Sequence, residues 1–196
     1  VTTTFETYTG RFVDLSKPDP DTIAIDDIAW NLSRLPRFTG STRSDLVYSV
    51  AQHSVLVLNR VRQVNADVTR SLLLTALLHD AHEAYMGDLS SPMCNLLDMK
   101  MPVARLKSRL QNAIYRGLLG DIEWDGKKFV QYIGPVVKEA DLWARTYEAY
   151  HLMHSKGGNW VSSSVLAEEH ILRNVLVWSP AKARESFLNH YLELIT

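Results

Sequence analysis

The segment Leu77-Leu78-His79-Asp80-Ala81-His82-Glu83 sets two imidazoles and two carboxylates at the end of a run whose pattern demands burial. On a helix, side chains three or four residues apart share a face, so His79 continues the stripe of Leu72 and Ala76, and Glu83 lies one turn beyond it. A buried carboxylate needs a counter-charge. A divalent cation supplies one for His and Asp together, and water held by such an ion becomes a nucleophile near neutral pH. The chemistry indicated is hydrolysis.

Two more positions repeat the pattern. His53 is in line with Val57, Val61 and Val64, and Asp141 stands between Val137 and Ala144, so each projects from an apolar helical stripe. His53, His79, Asp80 and Asp141 then make a set of two imidazoles and two carboxylates. That set suits a divalent Mn, Co, Fe, Ni or Zn ion better than calcium. A single inward histidine is more often a hydrogen-bonded core residue than a ligand, and spacing alone leaves that alternative open.

The elements that must position these residues are mostly helical. Thr4 to Leu15 carries β-branched and aromatic residues around Thr9-Gly10, which predicts a short hairpin before the turn Pro18-Asp19-Pro20-Asp21. Ile25, Ile28, Ala29, Leu32 and Leu35 keep a helical period, with Pro36 ending the run. Val50 to Val64 and Val68 to Met86 read as central helices, and Gly87 as a C-cap releasing Asp88 into a loop through Pro92. Pro102 opens a further helix, followed by a Gly/Asp-rich break from Gly117 to Gly126. Val136 to His154 is helical again, and Ser179-Pro180 caps a last helix with Phe187, Tyr191 and Leu194 inward. The expectation is an all-α bundle with a short N-terminal β-hairpin, residues 1–196 forming one domain.

Composition limits the partners. With 196 residues and 46% hydrophobic content, the chain has enough apolar material for one good-sized core. Lys plus Arg is 21 against 22 for Asp plus Glu, so no global positive field favours nucleic acid. No apolar run approaches the ~20 residues of a membrane span, and the N-terminus lacks a secretory pattern. The single cysteine, Cys94, has no internal disulfide partner, which fits a reducing cytoplasm.

The order His53, then His79-Asp80, then Asp141 resembles the H…HD…D pattern of the HD-domain metal-dependent phosphohydrolases. The strings Tyr48-Ser49-Val50-Ala51-Gln52-His53-Ser54, Leu78-His79-Asp80-Ala81-His82-Glu83-Ala84, Gly87-Asp88-Leu89-Ser90-Ser91-Pro92 and Glu139-Ala140-Asp141 are similar to the bacterial and phage 5′-deoxynucleotidase branch, phage dATP triphosphohydrolases included. The resemblance implies an HD-type helical bundle, a divalent metal (Mg among the candidates) on His53, His79, Asp80 and Asp141, and a small-molecule deoxynucleotide as substrate. It also implies a homo-oligomer. Arg37-Phe38 matches the branch's phosphate-holding Arg and sugar-crowding aromatic, with Phe where the branch has Trp. Cys94 stands where a Lys often follows the Ser-Pro-apolar turn. The resemblance gives Glu83 and Asp88 catalytic roles, one accepting a proton from water and the other orienting it or protonating the leaving oxygen. The order of those two roles stays open.

His82 is near enough to this site to touch substrate, whereas His151, His154, His170 and His190 read as ordinary histidines. Trp30, Trp143, Tyr147 and Trp160 read as core or subunit-contact aromatics. A triphosphate substrate would draw on basic residues at the mouth, for which Arg34, Arg43, Lys100, Arg105 and Lys107 are candidates. Two alternatives are a cyclic-nucleotide or cyclic-dinucleotide phosphodiesterase on the same scaffold and a non-catalytic nucleotide-binding module with a structural metal. The first lacks the Gly-Tyr-Pro string of one large branch, and intact Glu83 and Asp88 argue against the second.

Overall fold

The structure is a computed structural model that describes residues 2–65, 67–120, 134–158 and 175–196, with the backbone of residues 123–124 and 127–128. The chain opens with the antiparallel hairpin β1 (Thr4–Glu6) and β2 (Phe12–Asp14), with Thr4 opposite Asp14. Helices α1 (Ile25–Leu32), α2 (Val50–Val64), α3 (Arg70–Leu77), α4 (Glu83–Met86), α5 (Ser91–Leu96) and α6 (Lys100–Leu119) follow. A second small hairpin, β3 (Glu123–Trp124) with β4 (Lys127–Lys128), precedes α7 (Pro135–Leu152) and α8 (Pro180–Ile195). The fold is all-α with the expected hairpin at its start. None of the helices described is long and apolar enough to cross a membrane.

Local sequence explains where the main helices begin. Ser49, Thr69 and Ser179 accept hydrogen bonds from the backbone N–H groups of Gln52, Leu72 and Lys182, satisfying donors that a helix start would otherwise leave open. Pro135 and Pro180 occupy first-turn positions, where a missing N–H costs nothing. At the centre, α2 packs against α3, α7 and α8. It buries Val50, Ala51, Val55, Val57, Leu58 and Val61. Each large apolar side chain removed from water contributes about 1.5–3 kcal/mol. Apolar burial therefore holds α2 in place, and the fully buried His53 is carried into the interior with it.

Three expectations are corrected. Residues 68–86 do not form one helix: α3 ends at Leu77, and residues 78–82 run through successive tight turns before α4. Leu78 leaves helical geometry at φ −97°, ψ 7°, and i to i+3 bonds such as Ala81 N–H to Leu78 O replace the α ladder. The stretch through Pro92 is not all loop, because Ser90 leads into α5 with Pro92 in its first turn. Nor does Gly117 begin a break. It lies inside α6, where an added Cβ would run into Pro20 O and stand 3.1 Å from Ile23 Cβ. Close approach to the 3-10 turn Pro20–Thr22 demands glycine there, and the helix ends instead at Gly120, which adopts φ +48°. Trp160 and His170 lie outside the described residues.

Gly117→Ala is accordingly expected to destabilise the protein by about 1–3 kcal/mol, the usual cost of overpacking. Thermal unfolding of the variant checks this, and an unchanged melting temperature would contradict the close packing.

Candidate metal centre

α2, the turn after α3, and α7 each turn polar side chains into one place. His53 comes from α2, His79 and Asp80 from the turn, and Asp141 from α7. His53 Nε2 lies 3.3 Å from His79 Nε2, 3.2 Å from Asp141 Oδ1 and 3.7 Å from Asp80 Oδ2. His79 Nε2 lies 3.1 Å from Asp80 Oδ2 and 4.0 Å from Asp141 Oδ1. Neighbours on a regular helix point about 100° apart, so the tightened turn is what lets consecutive His79 and Asp80 face the same point. Both imidazoles are buried, while the Asp141 side chain is 44% exposed and leaves the cluster open on that side.

The outer nitrogens decide what the inner ones can do. His79 Nδ1 lies 2.8 Å from the carbonyl oxygen of Ala76, an acceptor only, so this nitrogen carries the proton and donates. His53 Nδ1 lies 2.6 Å from Oε1 of Glu148, a fully buried carboxylate whose pKa is held below its ordinary value. Burial opposes that charge, but His53 and Arg37 outweigh it. His53 therefore donates through Nδ1 as well. With both Nδ1 positions donating, each neutral imidazole presents an Nε2 lone pair to the other and to two carboxylates. In that neutral form four acceptors converge with no donor between them, and protons or a cation would satisfy the set.

The electrostatics agree. Burial pulls the His79 imidazole down, yet Asp80 and Asp141 push it up to about 9. His53 is also raised, Glu148 and Asp141 outweighing burial and Arg37. Asp80 is held well below the ordinary carboxylate range by His79, His53 and Arg37 despite its burial, and Asp141 is likewise lowered, chiefly by its hydrogen bond with His53. Without an ion, protons on the imidazoles supply the positive charge these carboxylates require. His53, His79 and Asp141 have ligand atoms within 4.8 Å of one another. With Asp80 at the distances above, the four residues could hold a divalent metal.

Arg37 stands beside the cluster. Backbone bonds from Arg37 N–H to Tyr48 O and from Val50 N–H to Leu35 O pin its segment to the start of α2. Its Nη2 donates to Glu148 Oε2 at 3.2 Å, and its Nη1 lies 3.9 Å from Asp80 Oδ2. Burial opposes its charge, but Glu148, Asp80 and Asp141 raise its pKa above the ordinary arginine value. Phe38 follows at φ +54°, ψ 31° and Thr39 at φ +53°, a left-handed pair of non-glycine residues costing of order 1–3 kcal/mol each. The Phe38 ring centre lies 5.6 Å from the Arg37 guanidinium. Glu83 and His82 are buried, and Lys107 Nζ lies 3.8 Å from Glu83 Oε1. Burial, Asp80 and Asp88 push the Glu83 carboxyl up to about 9, while burial brings His82 down to about 4. Asp88 is half-buried and raised by that burial, with Arg37 opposing.

Lys107 is thus brought toward the site, whereas Arg34 lies over the Trp30 ring and Arg43 donates to His151 O. Glu148 was missed by sequence reasoning. It accepts from His53 Nδ1, from Tyr48 Oη at 2.9 Å and from Arg37, joining a candidate ligand to the neighbouring guanidinium. A signal existed: Glu148 follows Ala140 and Ala144 and precedes Leu152 at four-residue intervals, all on the buried stripe of α7.

Fold and cluster define an all-helical protein with two imidazoles and two carboxylates facing one point. No family model matches the sequence. It is similar to an uncharacterized protein of Rhodobacter capsulatus, 43% identical over 84 residues, which are 43% of this chain and 43% of that protein's length. It is also similar to the uncharacterized protein YfdR of Escherichia coli, 32% identical over 191 residues, which are 96% of this chain and 94% of that protein. The chain belongs to the family of YfdR.

Glu148→Gln keeps the size of the side chain but removes the charge that fixes the His53 tautomer. Metal affinity should fall about 10- to 100-fold, as for other outer carboxylates on a metal-bound histidine. Competition with a chelating dye measures it, and wild-type affinity would contradict this role.

Proposed function

We propose that this chain is a metal-dependent deoxynucleotide phosphohydrolase of the HD-domain type, cleaving the 5′-phosphoester bond of dATP or dAMP. The observation that supports this most is the convergence of His53, His79, Asp80 and Asp141 as lone-pair donors beside Arg37. A divalent ion held there, of the Mn, Co, Fe, Ni, Zn or Mg group, would supply Lewis-acid polarisation of a phosphoryl oxygen and acidify water. The chain's own residues do the rest.

Arg37 is held from behind by Glu148, and its Nη1 is beyond hydrogen-bond reach of Asp80, so this edge of the guanidinium is placed to bind phosphate oxygen. Glu83, whose carboxyl is raised by burial and by Asp80 and Asp88, is the carboxyl suited to deliver a proton to a leaving 5′-oxygen, and Asp88 is the second carboxyl for proton transfer. Phe38, fixed next to Arg37 by its left-handed backbone, packs against C2′ and disfavours a 2′-hydroxyl. Lys107 receives the outer phosphates of a triphosphate. In this reading residues 1–196 work as one domain, in the cytoplasm and as a homo-oligomer.

The test is phosphorus NMR of metal-loaded protein with dATP, dAMP, ATP and AMP. The reading predicts deoxyadenosine with intact triphosphate from dATP, or deoxyadenosine with phosphate from dAMP, and slower turnover of both ribonucleotides. Formation of dADP, release of pyrophosphate with dAMP, or no turnover of any of the four would contradict it.

A further inference from the structure

Gln111 is a polar residue on the buried stripe of α6, beside Leu110 and only 3% exposed. A buried amide must be hydrogen-bonded, and both ends of this one are spent on the turn that follows α3. Its Nε2 donates to the Leu78 carbonyl at 2.7 Å. Because that carbonyl only accepts, the orientation of the amide is fixed, and Oε1 is left to accept from His82 Nδ1 at 3.0 Å. Gln111 thus grips the first and last residues of the stretch 78–82, with His79 and Asp80 between them.

The bond to Leu78 falls where the α ladder breaks. In a continuing α-helix the Leu78 carbonyl would accept from the N–H of residue 82. Here its two lone pairs are taken by Ala81 N–H at 3.0 Å and by Gln111 Nε2, so a bond from residue 82 has no acceptor left. Leu78 and Ala81 are fully buried, but apolar burial is non-directional and holds the segment in the core without choosing its winding. Hydrogen bonds from α6 choose it. That winding brings His79 Nε2 within 3.1 Å of Asp80 Oδ2, where a regular helix would point the two side chains about 100° apart.

We propose that Gln111 is a positioning residue for the metal centre: a clamp from α6 that keeps the turn after α3 tight, so that His79 and Asp80 converge on one point. It belongs to no ligand set and acts through the Leu78 carbonyl and the His82 imidazole. Outer partners of this kind orient metal ligands, and their loss weakens the site without removing a ligand. The proposal rests on the metal-centre reading of His53, His79, Asp80 and Asp141.

Gln111→Met keeps the length of the side chain and removes both bonds. When Co²⁺ is titrated into the chelator-treated full chain and followed by visible absorption, this variant should bind about 10- to 100-fold more weakly than wild type, with an altered spectrum as Asp80 turns away. Gly117→Ala disturbs the same helix against Pro20 and leaves the turn alone, so it should keep the wild-type affinity and spectrum despite its lower stability. Wild-type affinity and spectrum in Gln111→Met would overturn the proposal. So would equal weakening in both variants, since overall stability alone would then account for it. Nitrogen NMR of the wild type needs no variant to fold: it should find His82 protonated on Nδ1, and a proton on Nε2 alone would overturn the clamp. A wild type that binds no Co²⁺ would refute the metal-centre reading and this proposal with it, whereas binding that Gln111→Met matches refutes this proposal alone.

Discussion

Acceptor groups facing acceptor groups are the constraint on which this interior depends. The Ala76 carbonyl and the Glu148 carboxylate claim the Nδ1 protons of His79 and His53, so both Nε2 lone pairs meet across 3.3 Å with two aspartates beside them. A buried acceptor without a donor costs about 1–3 kcal/mol, and more if charged. Protons or a metal ion must relieve the arrangement. The upward shift of both histidines is the proton solution, and a bound metal would displace those protons. Such a set of acceptors could hold a divalent metal.

The scaffold exists to maintain this geometry. α2 is locked by apolar contacts with α3, α7 and α8, so His53 has no freedom to withdraw. The end of α3 tightens into turns that bring His79 and Asp80 to the same point, and α7 supplies Asp141 and, two turns later, Glu148. Glu148 ties Arg37 to His53, so the guanidinium and the imidazole share one anchor. Phe38 and Thr39, next to Arg37, are left-handed non-glycine residues, a conformation that persists only where the surrounding structure holds it.

Much of this was legible in the sequence. His53, His79 and Asp141 could be read because each interrupts an apolar helical stripe, and the cap Ser179 marked the start of the last helix correctly. The break after Leu77 was not legible, because Leu72, Ala76 and His79 keep helical spacing into the turns. Gly117 misled for a similar reason. A glycine that ends a helix and one that admits a neighbouring backbone look alike in one dimension, and only packing against Pro20 separates them. The pairing of His82 with Gln111 spans 29 residues and belongs wholly to tertiary structure. The left-handed Phe38 carries no local signal, since nothing in its side chain favours that conformation.

The central claim is that His53 and His79 bind a divalent ion through Nε2. X-ray absorption at the metal edge, on protein loaded with one equivalent of Co²⁺, tests it directly. The account predicts a shell of nitrogen and oxygen at ~2.0–2.2 Å with the multiple-scattering signature of two imidazoles. A shell without imidazole, or one containing sulfur from Cys94, would contradict it.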